Sequence, residues 1–182
     1  MRTTIVFDTA KVSLRETAVT ATIGHFVSAR VGWSFTAGGI VAGSIEDRDV
    51  AGGATVGASL SYLAVYESAR RPFVGVSASL GTALIRGTAD DGSARSWSAW
   101  DLRGGLIVGK TFARHWVPYA AARGFGGPVF WHRGGSSVTG TDRYHVTAGL
   151  GLIVRLPAHI DLTIEAMPLG EQSATAGASL HF

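Results

Sequence analysis

The chain has 182 residues, 25 of them glycine and none cysteine, with 16% charged residues, a net charge of +3 and a mean hydropathy of +0.24. That length suits one domain, residues 1–182; the lack of cysteine excludes disulfides and thiolate metal sites; and with no basic run beyond Arg70-Arg71, which reads as a solvated turn, no nucleic-acid partner is expected. No apolar run approaches the ~18 residues a membrane helix needs, so an apolar average must be spread through alternation.

Met1-Arg2-Thr3-Thr4 leads straight into strand-like sequence. No apolar stretch precedes a small-residue cleavage site, so export would require a signal removed ahead of Met1. From there, ten strands are predicted: 3–14, 17–26, 30–45, 54–66, 73–86, 97–112, 116–131, 143–156, 160–167 and 174–182. The first two are the weakest, because alternation loses phase between Asp8 and Arg15 and a bulge or one bent strand fits there as well.

The connections alternate in length. Val27–Ala29, Glu67–Pro72, Ala113–His115 and Pro157–His159 are short, whereas Glu46–Gly53, Gly87–Ser96, His132–Asp142 and Pro168–Ser173 are longer and more polar. The connection after Leu14 falls on the long-loop side, and an even strand count puts both termini at the short-turn end. Most aromatics cluster at strand ends. Phe26, Trp33, Phe35, Tyr62, Tyr66, Phe73, Phe112, Trp116, Tyr119 and Phe182 lie near the short turns or the C-terminus; Trp97, Trp100, Phe130, Trp131 and Tyr144 lie near the long loops, with Phe7 and Phe125 outside both sets. Two belts at strand ends are expected where amphipathic rings sit at lipid headgroup level.

Pairing Phe112 with Trp116 sets Gly109 opposite Tyr119, Ile107 opposite Ala121 and Gly105 opposite Arg123. The other face then carries Val108 with Ala120 and Leu106 with Ala122. Large side chains opposite glycine fill a narrow interior without collision. In the last hairpin, Leu156 opposes Ile160, Arg155 opposes Asp161 and Glu165 opposes Gly151.

Gly104-Gly105-Leu106-Ile107-Val108-Gly109-Lys110-Thr111 matches the spacing of a phosphate-binding P-loop. A P-loop needs a flexible turn and a following helix, and Leu-Ile-Val followed by Phe112-Ala113-Arg114-His115-Trp116-Val117-Pro118 supplies neither. The segment reads as strand, and no nucleotide is expected. The six histidines show no metal-ligand spacing, so no metal or other cofactor is expected. His132, Ser136, Ser137, Asp142 and His145 gather around one loop in a set that could support acyl transfer, but Gly134-Gly135-Ser136-Ser137 has linker composition. No enzymatic activity is expected. Phe130-Trp131-His132 reads as an upper aromatic belt leading into a loop, with ligand or partner contact as its functional alternative.

Asp101, Arg103, Arg123, Arg155, Asp161 and Glu165 fall in phase with Gly, Ser and Thr, away from Leu, Val and Ile. Ions facing lipid are costly, so these six are expected to form an ionic network inside, with Arg123 and Arg103 as partners of Glu165. Leu106, Val108, Leu150, Leu152, Leu162 and Leu180 are expected to face lipid or detergent.

The chain closes on Ala174-Thr175-Ala176-Gly177-Ala178-Ser179-Leu180-His181-Phe182, a strict period-two alternation ending on an aromatic. This segment resembles the closing strand of small bacterial outer-membrane β-barrels of the OmpA/OmpX type. The resemblance implies an all-β, antiparallel up-and-down transmembrane barrel of about ten strands, with eight as the alternative. It implies Leu180 and Phe182 as an assembly signal read by the barrel-assembly machinery, and the outer membrane of a Gram-negative bacterium as the location. The expected role is a structural or adhesion-type envelope protein with a side-chain-filled lumen. A narrow pore or lipid-active barrel is the second reading, and a soluble lipocalin-like binder of an apolar ligand the third.

Overall fold

The computed structural model describes the chain apart from residues 8–9, 46–47, 50–51, 89–93, 134–135 and 181–182. Every described element is a strand. In chain order they are β1 (Arg2–Phe7), β2 (Ala10–Phe26), β3 (Val31–Ile45), β4 (Arg48–Asp49), β5 (Gly53–Val65), β6 (Phe73–Thr88) and β7 (Ala94–Gly109). They continue with β8 (Trp116–Gly126), β9 (Pro128–Arg133), β10 (Ser136–Asp142), β11 (Val146–Leu156), β12 (Ile160–Leu169) and β13 (Ser173–Leu180). All join one antiparallel sheet in the order β13-β12-β11-β8-β7-β6-β5-β3-β2-β1-β10-β9, with β4 beside β3 and β9 pairing back onto β7.

The ten expected strands become thirteen: the expected strand 116–131 is interrupted into β8 and β9, and β4 and β10 form within stretches expected as loops. β8 and β9 run in sequence along β7, pairing with its Leu102–Gly109 and Arg95–Ala99 segments respectively. The break falls at Gly127, where a Cβ would stand 1.8 Å from Trp100 O, so only glycine lets the chain pass. β10 and β11 are likewise separated by Arg143–His145.

The result is a wall with two levels. At the upper level, β7, β6, β5, β3, β2, β1, β10 and β9 close a ring of eight strands. At the lower level, nine strands run from β13 through β12, β11, β8, β7, β6, β5 and β3 to β2. Here β2 extends past β1 by the stretch 17–26, which pairs with β3 alone.

Three expectations about the chain path are corrected. The first reversal lies between Phe7 and Ala10, not after Leu14. The hairpin sets Ile5 against Val12 and Thr3 against Leu14, keeping all four inward and buried, so β2 runs on through Arg15-Glu16-Thr17 without a turn. Second, the expected long loop His132–Asp142 is mostly the strand β10, whose Val138-Thr139-Gly140-Thr141 pairs with β9. Third, Met1 does not lie at the short-turn end. Its ammonium donates to Glu16 O at 2.7 Å, part-way up the wall.

The hairpin registers agree with the sequence reading. Gly109 opposes Tyr119, Gly105 opposes Arg123, Leu106 opposes Ala122, Arg155 opposes Asp161, and Glu165 opposes Gly151. Alternation then sorts the side chains. Inside the upper ring, Ile5, Phe7, Val12, Leu14, Ile40, Ile85, Trp97 and Val129 pack into one buried cluster. A smaller cluster below joins Tyr119, Ala121 and Met167. On the outside, Val19, Ile23, Leu60, Leu80, Leu102, Leu150 and Ile164 are each more than half exposed.

Candidate functional site

The interior charges form two clusters, stacked one above the other. In the lower one, Arg123 on β8 grips Glu165 on β12 with both guanidinium nitrogens, Nη1 to Oε1 at 2.8 Å and Nη2 to Oε2 at 2.7 Å. The Tyr119 hydroxyl donates to the same carboxylate at 3.1 Å. β8 and β12 are not neighbours; β11 lies between them. The bridge is possible because the β11 residue beneath it is Gly151, where a Cβ would sit 2.2 Å from the Tyr119 ring. Two parallel charge-assisted bonds fix both side chains in one geometry. Glu165 is nearly buried, at 8% side-chain exposure, while Arg123 keeps 32%.

In the upper cluster, Arg103 Nε pairs with Asp101, while Nη1 and Nη2 donate to Glu171 at 3.1 and 3.2 Å. The guanidinium also lies over the Phe125 ring, 4.9 Å from its centroid. Glu171 sits in the β12–β13 connection, turned inward by Gly170 at a φ of 78°. The Thr147 hydroxyl fixes that turn from 2.7 Å at Leu169 O and 3.0 Å at Glu171 O.

Above Arg103 lies a chamber of about 150 Å³ under the aromatic plug. Glu16, Asp101, Asp142 and Glu171 all line it, with the Arg103 guanidinium and Met1 beside them. Thr3 donates to Asp142 at 3.1 Å. Three buried polar atoms facing the chamber, Thr82 Oγ1, Trp97 Nε1 and Asp101 Oδ1, have no partner among the described residues. At ~30 Å³ per molecule the chamber has room for about five waters, enough to serve all three.

The expected network is therefore brought together in part. Asp101 with Arg103 and Arg123 with Glu165 pair, but Arg103 turns to Glu171 and does not share Glu165. Arg155 and Asp161 face each other a level lower, where Arg155 is exposed. Glu16 and Glu171 were missed, and Asp142, named only with the loop serines and histidines, joins the interior acids instead. Glu171 reads as a polar loop residue, and Glu16 stands in the connection expected after Leu14. Tyr119 and Trp97, expected in the aromatic belts, are buried instead, at 7% and 3% exposure. Trp97 packs edge-on to Phe7 at 5.6 Å, and Trp131 tilts against both rings. Phe130, Trp131 and His132 belong to strand β9, paired on both sides, and form no loop tip. Of the outward set, Leu106, Val108, Leu150, Leu162 and Leu180 are exposed and Leu152 is half-buried. Phe182 lies outside the described residues.

The discarded motifs resolve as well. Gly104–Gly109 is part of β7, with Lys110 Nζ donating to Ala69 O at 2.7 Å, so no phosphate-cradling loop forms. Asp142 is engaged by Thr3 and His145 Nδ1 sits 3.3 Å from Phe125 O, so neither orients the other for acyl transfer. Among the described residues no group of three or more His, Asp or Glu is arranged to hold a metal. At the lower rim, Glu67 accepts from the Thr111 amide and hydroxyl, both at 2.7 Å. Those two bonds, with Lys110 and Arg155 nearby, hold its carboxyl below the usual range.

No protein-family model, curated protein or solved structure matches the chain.

Proposed function

We propose that the chain is an integral outer-membrane β-barrel of a Gram-negative bacterium, with a structural or adhesion-type role in the envelope and a lumen closed by its own side chains. The observation that carries this reading is the inversion of polarity across the sheet. Outside, aliphatic residues such as Leu60, Leu102 and Leu150 are each more than 60% exposed on neighbouring or nearby strands. Inside, buried carboxylates meet guanidinium groups. A water-soluble domain rarely exposes a continuous apolar surface of this kind, whereas a bilayer requires it and requires backbone groups satisfied between strands. The exposed rings of Phe26, Trp33, Phe35, Tyr66, Phe112 and Trp116 at the lower strand ends support the same orientation. Lipid is the main partner in this reading, and the barrel-assembly machinery acts during insertion.

Leu150→Arg tests it. In folding into lipid vesicles the substitution is expected to cost about 2–4 kcal/mol, the penalty for arginine at mid-membrane depth. On a water-exposed face the same change would fall within about 0.5 kcal/mol. A neutral result in vesicles removes the membrane reading.

A further inference from the structure

The lower wall has a slot between β13 and the 17–26 stretch of β2, and its two edges are matched to each other. Among the described residues, β2 below Glu16 pairs with β3 alone on one side, and β13 pairs with β12 alone on the other. Both run toward the lower end, so they are parallel to each other in a sheet where every other pairing is antiparallel. The head of the slot shows what fits it. There Arg2 of β1 pairs with Arg15 of β2 on one side and with Gln172 on the other, by bonds of 2.7 and 3.0 Å. The slot at its head is therefore one strand wide. An open cavity of about 700 Å³, lined from both edges by Met1, Glu16, Thr17, Met167 and Ala174, marks where it begins.

The side chains of the two edges also agree in phase. Continuing the Arg2–Arg15 and Arg2–Gln172 registers downward pairs the position just before Met1 with Thr17 and Ala174. Every second position below it then meets Val19 and Ala176, Ala21 and Ala178, and Ile23 and Leu180. These are the outward residues: Ala176 lies opposite Ile164, Ala178 opposite Leu162 and Ile23 opposite Phe35, whose partners are exposed. The intervening positions face inward, beside Thr20, Thr22 and Thr175. Without an occupant, Thr20, Thr22 and Gly24 are exposed although they point into the interior.

We propose that this slot receives one extended strand that leads upward into β1, antiparallel to both edges, and so closes the lower wall as a tenth strand. The edges define its chemistry. It spans about seven to ten residues at ~3.4 Å each, apolar at the position next to Met1 and at every second one below, small or polar between. Its backbone satisfies the free edges of β2 and β13, which a bilayer could not hydrate. It also covers the open cavity beside Met1 and Glu16. The proposal does not depend on membrane insertion, since it rests on strand pairing alone.

The test is made in detergent micelles with two versions of the full chain. One carries a ten-residue alternating segment directly before Met1, apolar in the phase given above. The other carries the same residues shifted by one position. Hydrogen exchange is read at the amides of Val19–Ile23 and Ala174–Leu180. The in-phase version should slow exchange at both edges at least tenfold relative to the unextended chain, and the shifted version should not. Equal exchange in both versions overturns the proposal. In the unextended chain, Ala21→Cys/Ala178→Cys should form no intramolecular disulfide, because two strand spacings exceed disulfide reach. Quantitative formation of that disulfide would show the edges pairing directly, which also overturns it. Neither readout changes if the Leu150→Arg result goes against membrane insertion, so the two failures are separable.

Discussion

The upper and lower halves of the wall solve the same problem differently. The upper ring is filled with large apolar side chains, and Phe7, Trp97 and Trp131 close it with three mutually packed rings. The lower half is filled with small residues and hydroxyls, such as Ser34 bonded to Ser59 at 2.7 Å and Thr22 to Thr36 at 2.8 Å, and is held by one bidentate ion pair. Where β1 completes the circuit, a buried apolar cluster packs inside, with the acidic chamber beneath it. Where β1 is missing from the circuit, both faces of β2 and β13 are exposed. The larger of the two apolar clusters lies in the half that closes.

That contrast predicts where substitutions hurt. The largest effect belongs to the upper plug: Trp97→Ala, at a residue 3% exposed and in contact with two rings, should cost about 3–5 kcal/mol in denaturant unfolding. A cost near that of an exposed tryptophan such as Trp100 would erase the distinction between the halves.

In the lower half, Glu165→Gln removes the carboxylate that Arg123 and Tyr119 share. A fully buried pair broken on one side costs about 3–5 kcal/mol; with Arg123 a third exposed, about 2 kcal/mol is expected after allowing for solvent screening. Arg123→Ala should in addition raise ion leakage in planar bilayers above that of the unmutated chain. A steady open channel before mutation would contradict the plug.

The smallest effect lies at the rim. Because Glu67 is held below the usual carboxyl range by its bonds to Thr111, its contribution is present above the unfolded carboxyl value and lost as pH falls through the lower folded one. Stability measured from neutral pH into the acid range should therefore separate Glu67→Gln from the unmutated chain at neutral pH and converge below that window. A constant offset at every pH would show that the interaction is not ionic.

Much of the wall was legible in the sequence because period two is unambiguous where one face must be apolar. The registers of the β7–β8 and β11–β12 hairpins follow from Phe112–Trp116 and Pro157–His159 alone. The inward phase of Asp101, Arg103, Arg123 and Glu165 followed with them. The N-terminal hairpin was not legible, because β1 and the first part of β2 turn the apolar Ile5, Phe7, Val12 and Leu14 inward, so their inward residues look like outward ones elsewhere. Trp97 and Tyr119 were misplaced for a related reason: position near a strand end says nothing about which face a ring takes. Glu171 depended on the positive φ of Gly170, which aims a loop carboxylate back into the interior, and no periodicity reports that.

The central claim, that the aliphatic outer face lies in lipid, has a direct measurement. The chain has no cysteine, so single labels can be placed without background. An environment-sensitive fluorophore on Leu150→Cys, mid-wall and 69% exposed, is compared in vesicles with one on Ser68→Cys in the β5–β6 turn. Lipids brominated on their acyl chains should quench the label at position 150 strongly and the label at position 68 weakly. Equal and weak quenching at both positions, with the label at 150 emitting as it does in water, would contradict the account.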